Sequence, residues 1–489
     1  MTYLAVFSIT PVQAYISKAR KLRDLYAGSK ILSFLAGVGL KAAGEAVYPT
    51  PGSASVPNKF VFTLEAENTG AVKSHMGQIE AVIQAEWLGL AEITGVPAGL
   101  IDDYWQYSWA ALPWDGKDYP KTHSRLQGLL AAAKLKPSRI RKPQQGEKCP
   151  LCGENQVWKT LTDAFGRTEK LCGVCAIKRL LPEKSLLREH ALYELTVQKN
   201  FPVTTELAAH KYITENHLGP EAIDRLHNEN DGRIPNIQKY YAILLMDGDK
   251  MGDLVNDKKN PQEHRELSET LDQFTGSIMI AQPGRLIYAG GDDVCAVLPL
   301  DTVLEAAKTI RERYRQFVGG TISAALLIVH HKEPLREAIR DSHTILDTIS
   351  KEKAGRDALT ILLRKRSGGD RDVHFKWDAK NPFLQQETLF ASFKNITAEL
   401  SDKTITSSLV YRLSQLKDAV LVDGITPDQI VSMFAYEVKH SFPHTADTKL
   451  AAKRLAGLCL PESDKAYPGD TAFNPEAPVI AHFLSGVQE

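Results

Sequence analysis

Between residues 241 and 363, apolar runs of strand length alternate with amphipathic helical stretches in an order that specifies a fold. Tyr241 to Met246 is an unbroken apolar run, followed by a helix-patterned stretch from about Glu263 to Ile280. Two further apolar runs flank Gly290-Gly291 and read as a hairpin with a glycine-led turn. A helix from about Val303 to Phe317, a strand from Thr321 to His330, a helix from Pro334 to Lys353 and a last strand near Ala358 to Leu363 complete the series. This β-α-β-β-α-β order predicts a ferredoxin-like layer, with helices on one face of an antiparallel sheet.

Either side of that block the pattern changes. Tyr3 to Ile9 is an apolar strand, and Pro11 opens a helix at a position where its missing N–H costs nothing. The helix is read from Val12 through Ser29, with Val12, Ile16, Ala19 and Leu22 on one side to pack on a sheet. Glu183 to Asn236 is charged and helical in pattern, with Pro202 and Gly232 as punctuation. Beyond about Gly369, the segments Asn381 to Ile396, Ser407 to Leu421, Pro427 to His440 and Thr448 to Leu458 read as helices joined by short polar turns, which suits a terminal bundle.

Composition narrows the class without naming it. A chain of 489 residues has room for three or four domains with real cores. Its 59 basic and 59 acidic side chains leave no net charge, so it lacks the basic face of a free-standing nucleic-acid binder, although local patches can act within a neutral total. With no secretory segment and no long apolar run, the expected setting is cytoplasmic, away from membranes.

The chemistry concentrates at two strand ends. Asp247-Gly248-Asp249 closes the first apolar run, and Asp292 and Asp293 lie at the tip of the Gly290-Gly291 hairpin, 45 residues after Asp247. If the strands lie side by side, three or four carboxylates converge, and they repel one another unless a cation sits among them. Hard oxygen ligands point to Mg²⁺ or Mn²⁺. Two such ions about 4 Å apart would activate an attacking hydroxyl and steady a triphosphate, as a palm-type nucleotidyltransferase requires. The bland alternative is a solvated turn. Downstream, Lys351, Lys353 and Arg356 bracket Gly355; Lys353 and Arg356 suit triphosphate contact or a solvated helix end equally, whereas the following Arg364, Lys365 and Arg366 read as surface or RNA-facing.

Cys149-Pro-Leu-Cys152 and Cys172-Gly-Val-Cys175 form two knuckles separated by 19 residues, a spacing that predicts a closed, structural Zn²⁺ site; two disulfides are the alternative. Cys295 and Cys459 stand alone in apolar surroundings and read as buried thiols. Before the first knuckle, Lys134, Lys136, Arg139, Arg141 and Lys142 form a basic stretch suited to RNA backbone contact or to a solvated linker.

Several of these motifs together resemble one family. Asp-Gly-Asp-Lys-Met-Gly at 247–252, Gly-Gly-Asp-Asp at 290–293, the segment Ser323 to Leu335 containing His330-His331-Lys332-Glu333-Pro334, and Gly355-Arg-Asp followed by Lys365-Arg-Ser-Gly368 are similar to the second palm of the large, polymerase/cyclase-like subunit of type III CRISPR effector complexes, nearest the III-B (Cmr) branch. Pro11-Val-Gln with Arg23-Asp-Leu-Tyr-Ala-Gly-Ser29 resembles that family's first palm.

The resemblance implies an α+β fold of two ferredoxin-like palms (nucleotide cyclase/polymerase-like) with a four-cysteine zinc segment and helical domains. Its divisions are 1–145 for a first palm without the acidic motif, 146–182 for the zinc segment, 183–236 for a helical linker domain, 237–370 for the second palm and 371–489 for a helical bundle serving complex assembly. It also implies metal-dependent synthesis of cyclic oligoadenylate from ATP on target RNA binding, with Asp247, Asp292 and Asp293 catalytic and Asp247, Asp249, Asp292 and Asp293 on the metals, Asp249 either assisting there or positioning the adjoining loop. Asp24, Gly28, Ser29, Gly248, Asp249, Gly290, Gly291, Lys353 and Arg356 are the expected nucleotide contacts, with helix capping and packing as the alternative for the first three. Expected partners are the other complex subunits, including the small helical one, with guide RNA and target RNA. A silent ATP- and RNA-binding scaffold and a cyclic-dinucleotide synthase are the rival readings. Many family members carry an N-terminal HD nuclease domain; this chain starts at the first palm without a His-Asp dipeptide, so no HD-type DNase activity is expected.

Overall fold

The computed structural model describes residues 1–486 except 54, 137, 140, 142–143, 163–165, 185–189, 198–200, 220–237, 367, 423, 442–446 and 462–472. Lys142, Gly232 and much of the expected 183–236 linker lie outside the described residues.

The N-terminal sheet contains β1 (Thr2–Thr10), β2 (Glu45–Tyr48), β3 (Lys59–Glu65) and β4 (Gln106–Pro113) in the order β2-β3-β1-β4, all antiparallel. β1 is apolar from Tyr3 to Phe7 because both faces are covered. Tyr3, Ala5, Phe7 and Ile9 face α2 (Leu22–Ala43) and α3 (Thr69–Thr94), while Leu4 and Val6 face α4 (Tyr119–Lys134). The expected helix from Val12 to Ser29 is interrupted: α1 is only Gln13–Ile16, Pro11 lies outside it, and α2 starts at Leu22. The break has a partner. The buried Lys178 ammonium takes the carbonyls of Tyr15 and Lys18, which a continuous helix would have used internally.

Lys178 belongs to α5 (Gly173–Leu180), which with the hairpin β5 (Lys159–Thr162) and β6 (Thr168–Leu171) carries the cysteines. After it, the described part of the linker contains helices Glu194–Val197 and α6 (Thr204–Glu215).

The second sheet has six strands: β7 (Tyr240–Gly248), β8 (Arg285–Gly290), β9 (Asp293–Leu298), β10 (Ile322–His330), β11 (Ala358–Arg364) and β12 (Asp370–Lys376), in the order β12-β11-β10-β7-β9-β8. Its antiparallel β10-β7-β9-β8 portion has ferredoxin-like order, as does the first sheet. The expectation of helices on one face holds for α7 (Pro261–Ser277) and α8 (Val303–Phe317), which pack on Ala242, Leu244 and Met246. It fails for α9 (Leu335–Ile345), which packs with residues of the first palm on the other face, against Tyr241, Ile243 and Leu245.

β12 extends the sheet beyond residue 370, and the helix expected from Asn381 is instead the strand pair β13 (Lys380–Asn381) and β14 (Leu384–Thr388), followed by a helix at Leu389–Ser401. Asn381 is fully buried. Its side chain accepts from the Phe383 amide and donates to Ser392, and these local bonds compete with helix. Helices Pro427–Ser441, Thr448–Cys459 and Glu476–Leu484 share one core with the sheet through Phe393, Phe434, Leu455 and Ile480. Among the described residues, no helix is long and apolar enough to cross a membrane.

Candidate active site

Sheet register assembles the aspartates. The last β7–β9 pair is Met246–Val294, so Asp247 and Asp293 lie one step further on adjacent strand ends. Gly290 pairs with Asp293, leaving Gly291 and Asp292 as the turn, and Gly291 supplies the left-handed φ of 66° that the turn requires. The Asp293 carboxyl is pushed up by burial and by a side-chain hydrogen bond to Asp247. Burial and the Asp247 charge push Asp292 up to about 7. Like charges this close need a shared proton or a cation.

Lys351 provides one positive charge. Its ammonium is ion-paired with Asp247 and lies 3.4 Å from Asp347. It projects from a π-helical continuation of α9, Leu346–Lys353, and such widened turns recur at functional sites. The expected phosphate ligands Lys353 and Arg356 are exposed and form no ion pair among the described residues. Lys353 nevertheless lies towards β12, where the Asp372 carboxyl is held low first by His374 and then by Lys353. Arg364 is tied into the palm by Asp341 and Asp370.

Asp249 is placed to position the adjoining loop, the second of the two roles open to it from the sequence. Both its oxygens are committed: it accepts from Thr321 Oγ1 at 2.8 Å, Ser323 Oγ at 2.7 Å and the Asp357 amide at 2.9 Å, and it is buried. It thereby fixes the loop in which Arg356 and Asp357 take φ of 65° and 45°. Left-handed backbone at two successive non-glycine residues costs about 1 kcal/mol or more each, which these hydrogen bonds offset.

The first palm closes the opposite side with residues that no motif singled out. Tyr48 ends β2 with its hydroxyl against Gly291, where an added β-carbon would stand 3.0 Å from it, and Ser55 lies against Gly290. Lys59 donates to Gln127 at 3.2 Å; burial and Lys134 lower its pKa, against the pull of Asp292. These contacts are long-range in sequence, so no local pattern announces them.

Asp24, Gly28 and Ser29 lie in α2, where the structure shows their ion-pair and packing partners. Asp24 is buried and held bidentately by Arg179, at 2.7 Å from Nε and 2.6 Å from Nη2. Gly28 leaves room for the Lys178 stem, which an added β-carbon would approach to 3.1 Å. Ser29 is buried in α2. The segment joins α2 to the cysteine element. Arg139 and Arg141 of the basic stretch are also occupied, on the carbonyls of Asp102 and Tyr104 and over the rings of Tyr107 and Tyr104.

The four cysteines match their expected role more closely. Their Sγ atoms all lie within 4.8 Å of one another, and among the described residues no other His, Cys, Asp or Glu group is so tightly gathered. All six cysteines are free, with Cys152 and Cys172 Sγ at 3.7 Å, far beyond a disulfide bond but about the sulfur spacing of tetrahedral thiolate zinc. The cluster could therefore hold zinc. The aspartates do not meet that spacing, Asp247 being turned to Lys351, although their donor chemistry suits a hard cation.

Where the palms meet, Tyr48 stacks on His264 at 5.4 Å, His264 Nδ1 and the Tyr119 hydroxyl share a hydrogen bond of 2.7 Å, and Gln127 bonds His123. Burial, followed by nearby cations and His123, lowers His264 to about 3, and burial with Lys59 lowers His123 to about 4. Both are depressed below the unfolded value of about 6.5, so the unfolded chain binds more protons between these limits. Stability should thus fall as pH drops from about 6.5 towards 4. Thermal melts between pH 7 and 5 check this; a His123→Gln/His264→Gln chain should show a shallower slope, and an unchanged slope would contradict the assignment.

Comparison with known proteins agrees with this architecture. Residues 240–360 match the family model for the Cas10/Cmr2 second palm domain, and residues 4–51 match that for the CRISPR-associated protein Cmr2 N-terminal region. The CRISPR system Cmr subunit Cmr2 of Pyrococcus furiosus is 28% identical over 355 residues, covering 54% of this chain and 41% of that protein. A Mycobacterium tuberculosis protein described as CRISPR system single-strand-specific deoxyribonuclease Cas10/Csm1 (subtype III-A) is 32% identical over 95 residues, 19% of this chain and 11% of its own. The chain thus spans less than half the length of these relatives. In fold it is similar to the apo state of Type III-B Cmr-beta, with a TM-score of 0.71 at 13% identity over 100% of this chain and 82% of the other. A Csm1-Csm4 cassette in complex with one ATP gives a TM-score of 0.54 at 14% identity over 99% and 70%. Its N-terminal segment and its hairpin-bearing palm are thus both similar to Cas10/Cmr2 proteins, and the chain shares its fold along its length with a Type III-B Cmr-beta structure.

Proposed function

We propose that this chain is the cyclase-like subunit of a type III CRISPR RNA-guided effector complex serving antiviral defence, making cyclic oligoadenylate from ATP when target RNA is bound. The observation that carries the reading is the pairing of Asp247 with the Gly290-to-Asp293 hairpin, walled by Tyr48 and Ser55 of a second palm. Solved relatives of the same fold were captured with ATP and with cA4.

Asp247, Asp292 and Asp293 would hold Mg²⁺ or Mn²⁺. Such an ion supplies neutralisation of the triphosphate and a lowered pKa for the attacking 3′-hydroxyl. The chain's own contribution is alignment and charge. Lys351 leaves Asp247 for a phosphate, and the exposed Lys353 and Arg356 meet the remaining phosphates as pyrophosphate departs. Asp249 keeps their loop in place. Each attack joins a 3′-oxygen to an α-phosphorus, and attack on the chain's own 5′ end closes the ring. No protein nucleophile is needed.

Zn²⁺ on the four cysteines is structural in this reading. Partners are the other complex subunits, including the small helical one, with guide RNA and target RNA. The Lys351–Asp247 ion pair favours a second reading, an ATP- and RNA-binding scaffold without turnover. Mass spectrometry of products from ATP with Mg²⁺ or Mn²⁺, using the assembled complex with and without target RNA, separates the two. Target-dependent cyclic oligoadenylates are expected; no product from a verified target-bound complex would favour the scaffold, and a cyclic dinucleotide would mark a different synthase.

A further inference from the structure

Tyr314 on α8 is fully buried, its ring set edge-on to Phe274 at 5.1 Å, yet its hydroxyl has no hydrogen-bond partner among the described residues. A buried hydroxyl without a partner costs about 1–3 kcal/mol, and phenylalanine would fill the same space without that cost. The hydroxyl points at the strand end that carries the carboxylates. A β-carbon added to Gly248 would run into it, and would also stand 2.8 Å from the Asp292 β-carbon. Gly248 is therefore the gap through which Tyr314 reaches the underside of Asp292. Asp292, for its part, is hydrogen-bonded by its own backbone.

We infer that Tyr314 is a positioning residue: its O–H donates to the Asp292 carboxylate when that carboxylate turns to hold a divalent cation. This rests on the functional reading above for the cation's purpose. The donor fixes Asp292 in one orientation, leaving its other oxygen to meet the cation. The unsatisfied hydroxyl of the present arrangement is then the cost of a bond completed on loading. The same contact explains Gly248: the spacing admits the phenol only where no side chain intervenes.

The test uses full-length Tyr314→Phe beside the unaltered chain and Asp292→Ala, with Mn²⁺ affinity read by electron paramagnetic resonance, thermal melting, and ATP turnover in the assembled complex. The expected result is a melting temperature equal to or above that of the unaltered chain, with Mn²⁺ affinity and kcat each lowered about tenfold or more, the scale of a lost hydrogen bond to a charged group. Unchanged Mn²⁺ affinity in Tyr314→Phe would overturn the assignment, and so would an unaltered chain whose Mn²⁺ binding is insensitive to Asp292→Ala. If the unaltered complex binds Mn²⁺ through Asp292 but makes no oligoadenylate, the functional reading fails, while the Mn²⁺ affinity of Tyr314→Phe still decides the role of Tyr314.

Discussion

Replacing Asp292 and Asp293 together by alanine should lower ATP turnover by about a thousandfold or more while leaving the fold intact. The magnitude follows from removing two of the three carboxylates that would hold the cation, since losing even one electrostatic stabiliser commonly costs a hundredfold to about a thousandfold. The stability expectation runs the other way. Asp292 and Asp293 sit at a hairpin tip, both pushed towards protonation by burial and by one another's neighbourhood with Asp247. Alanine removes that repulsion, so the melting temperature should hold or rise. Turnover assays on matched complexes, with melting curves alongside, check both arms. Retained turnover would show that the hairpin is not the reaction centre.

Stripping zinc should have the largest effect on the structure. Structural thiolate zinc supplies on the order of 10 kcal/mol of folding free energy in small domains. Here the element it closes also holds the first palm. Lys178 takes the free carbonyls of the α1–α2 break, and Arg179 is bidentate on buried Asp24 while also bonding Glu169 at 2.5 Å. Breaking such a buried pair from one side costs about 3–5 kcal/mol. Chelation, or Cys172→Ser, should therefore expose residues 149–175 to protease first and then lower the melting temperature of the N-terminal palm. Elemental analysis should find one zinc per chain, with the four thiols unreactive until it is removed. Freely reactive thiols in the purified chain, with no zinc, would contradict this.

The second palm was legible because its strands are covered on both faces and its helices on one. β7 and β10 read as continuous apolar runs, and the amphipathic stretch from Val303 to Phe317 matches α8 at both ends. The aspartate pairing was legible for a related reason: a glycine-led turn and a strand end are local patterns whose proximity follows from the sheet order. Periodicity failed where a partner distant in sequence takes over. The helix through residues 12–29 looks continuous until Lys178 arrives from 160 residues away to take the Lys18 carbonyl. Asp24 and Asp249 stand in short acidic motifs that local reading can single out, whereas their hydrogen-bond partners Arg179 and Ser323 lie 155 and 74 residues downstream, beyond any local pattern. Tyr48 and Tyr314 have no motif at all, and their roles come from what they face across an interface or through a glycine.

The central claim is that Asp247 and the hairpin carboxylates form a cation and nucleotide site that Lys351 occupies in the meantime. The most direct measurement is a structure of the chain with Mn²⁺ and a non-hydrolysable ATP analogue, with the metal located by its anomalous scattering. The account predicts manganese bounded by Asp247 and the hairpin aspartates, with Lys351 withdrawn to a phosphate and Asp249 still on Thr321, Ser323 and the Asp357 amide. Lys351 remaining on Asp247, with no manganese at the hairpin, would contradict it.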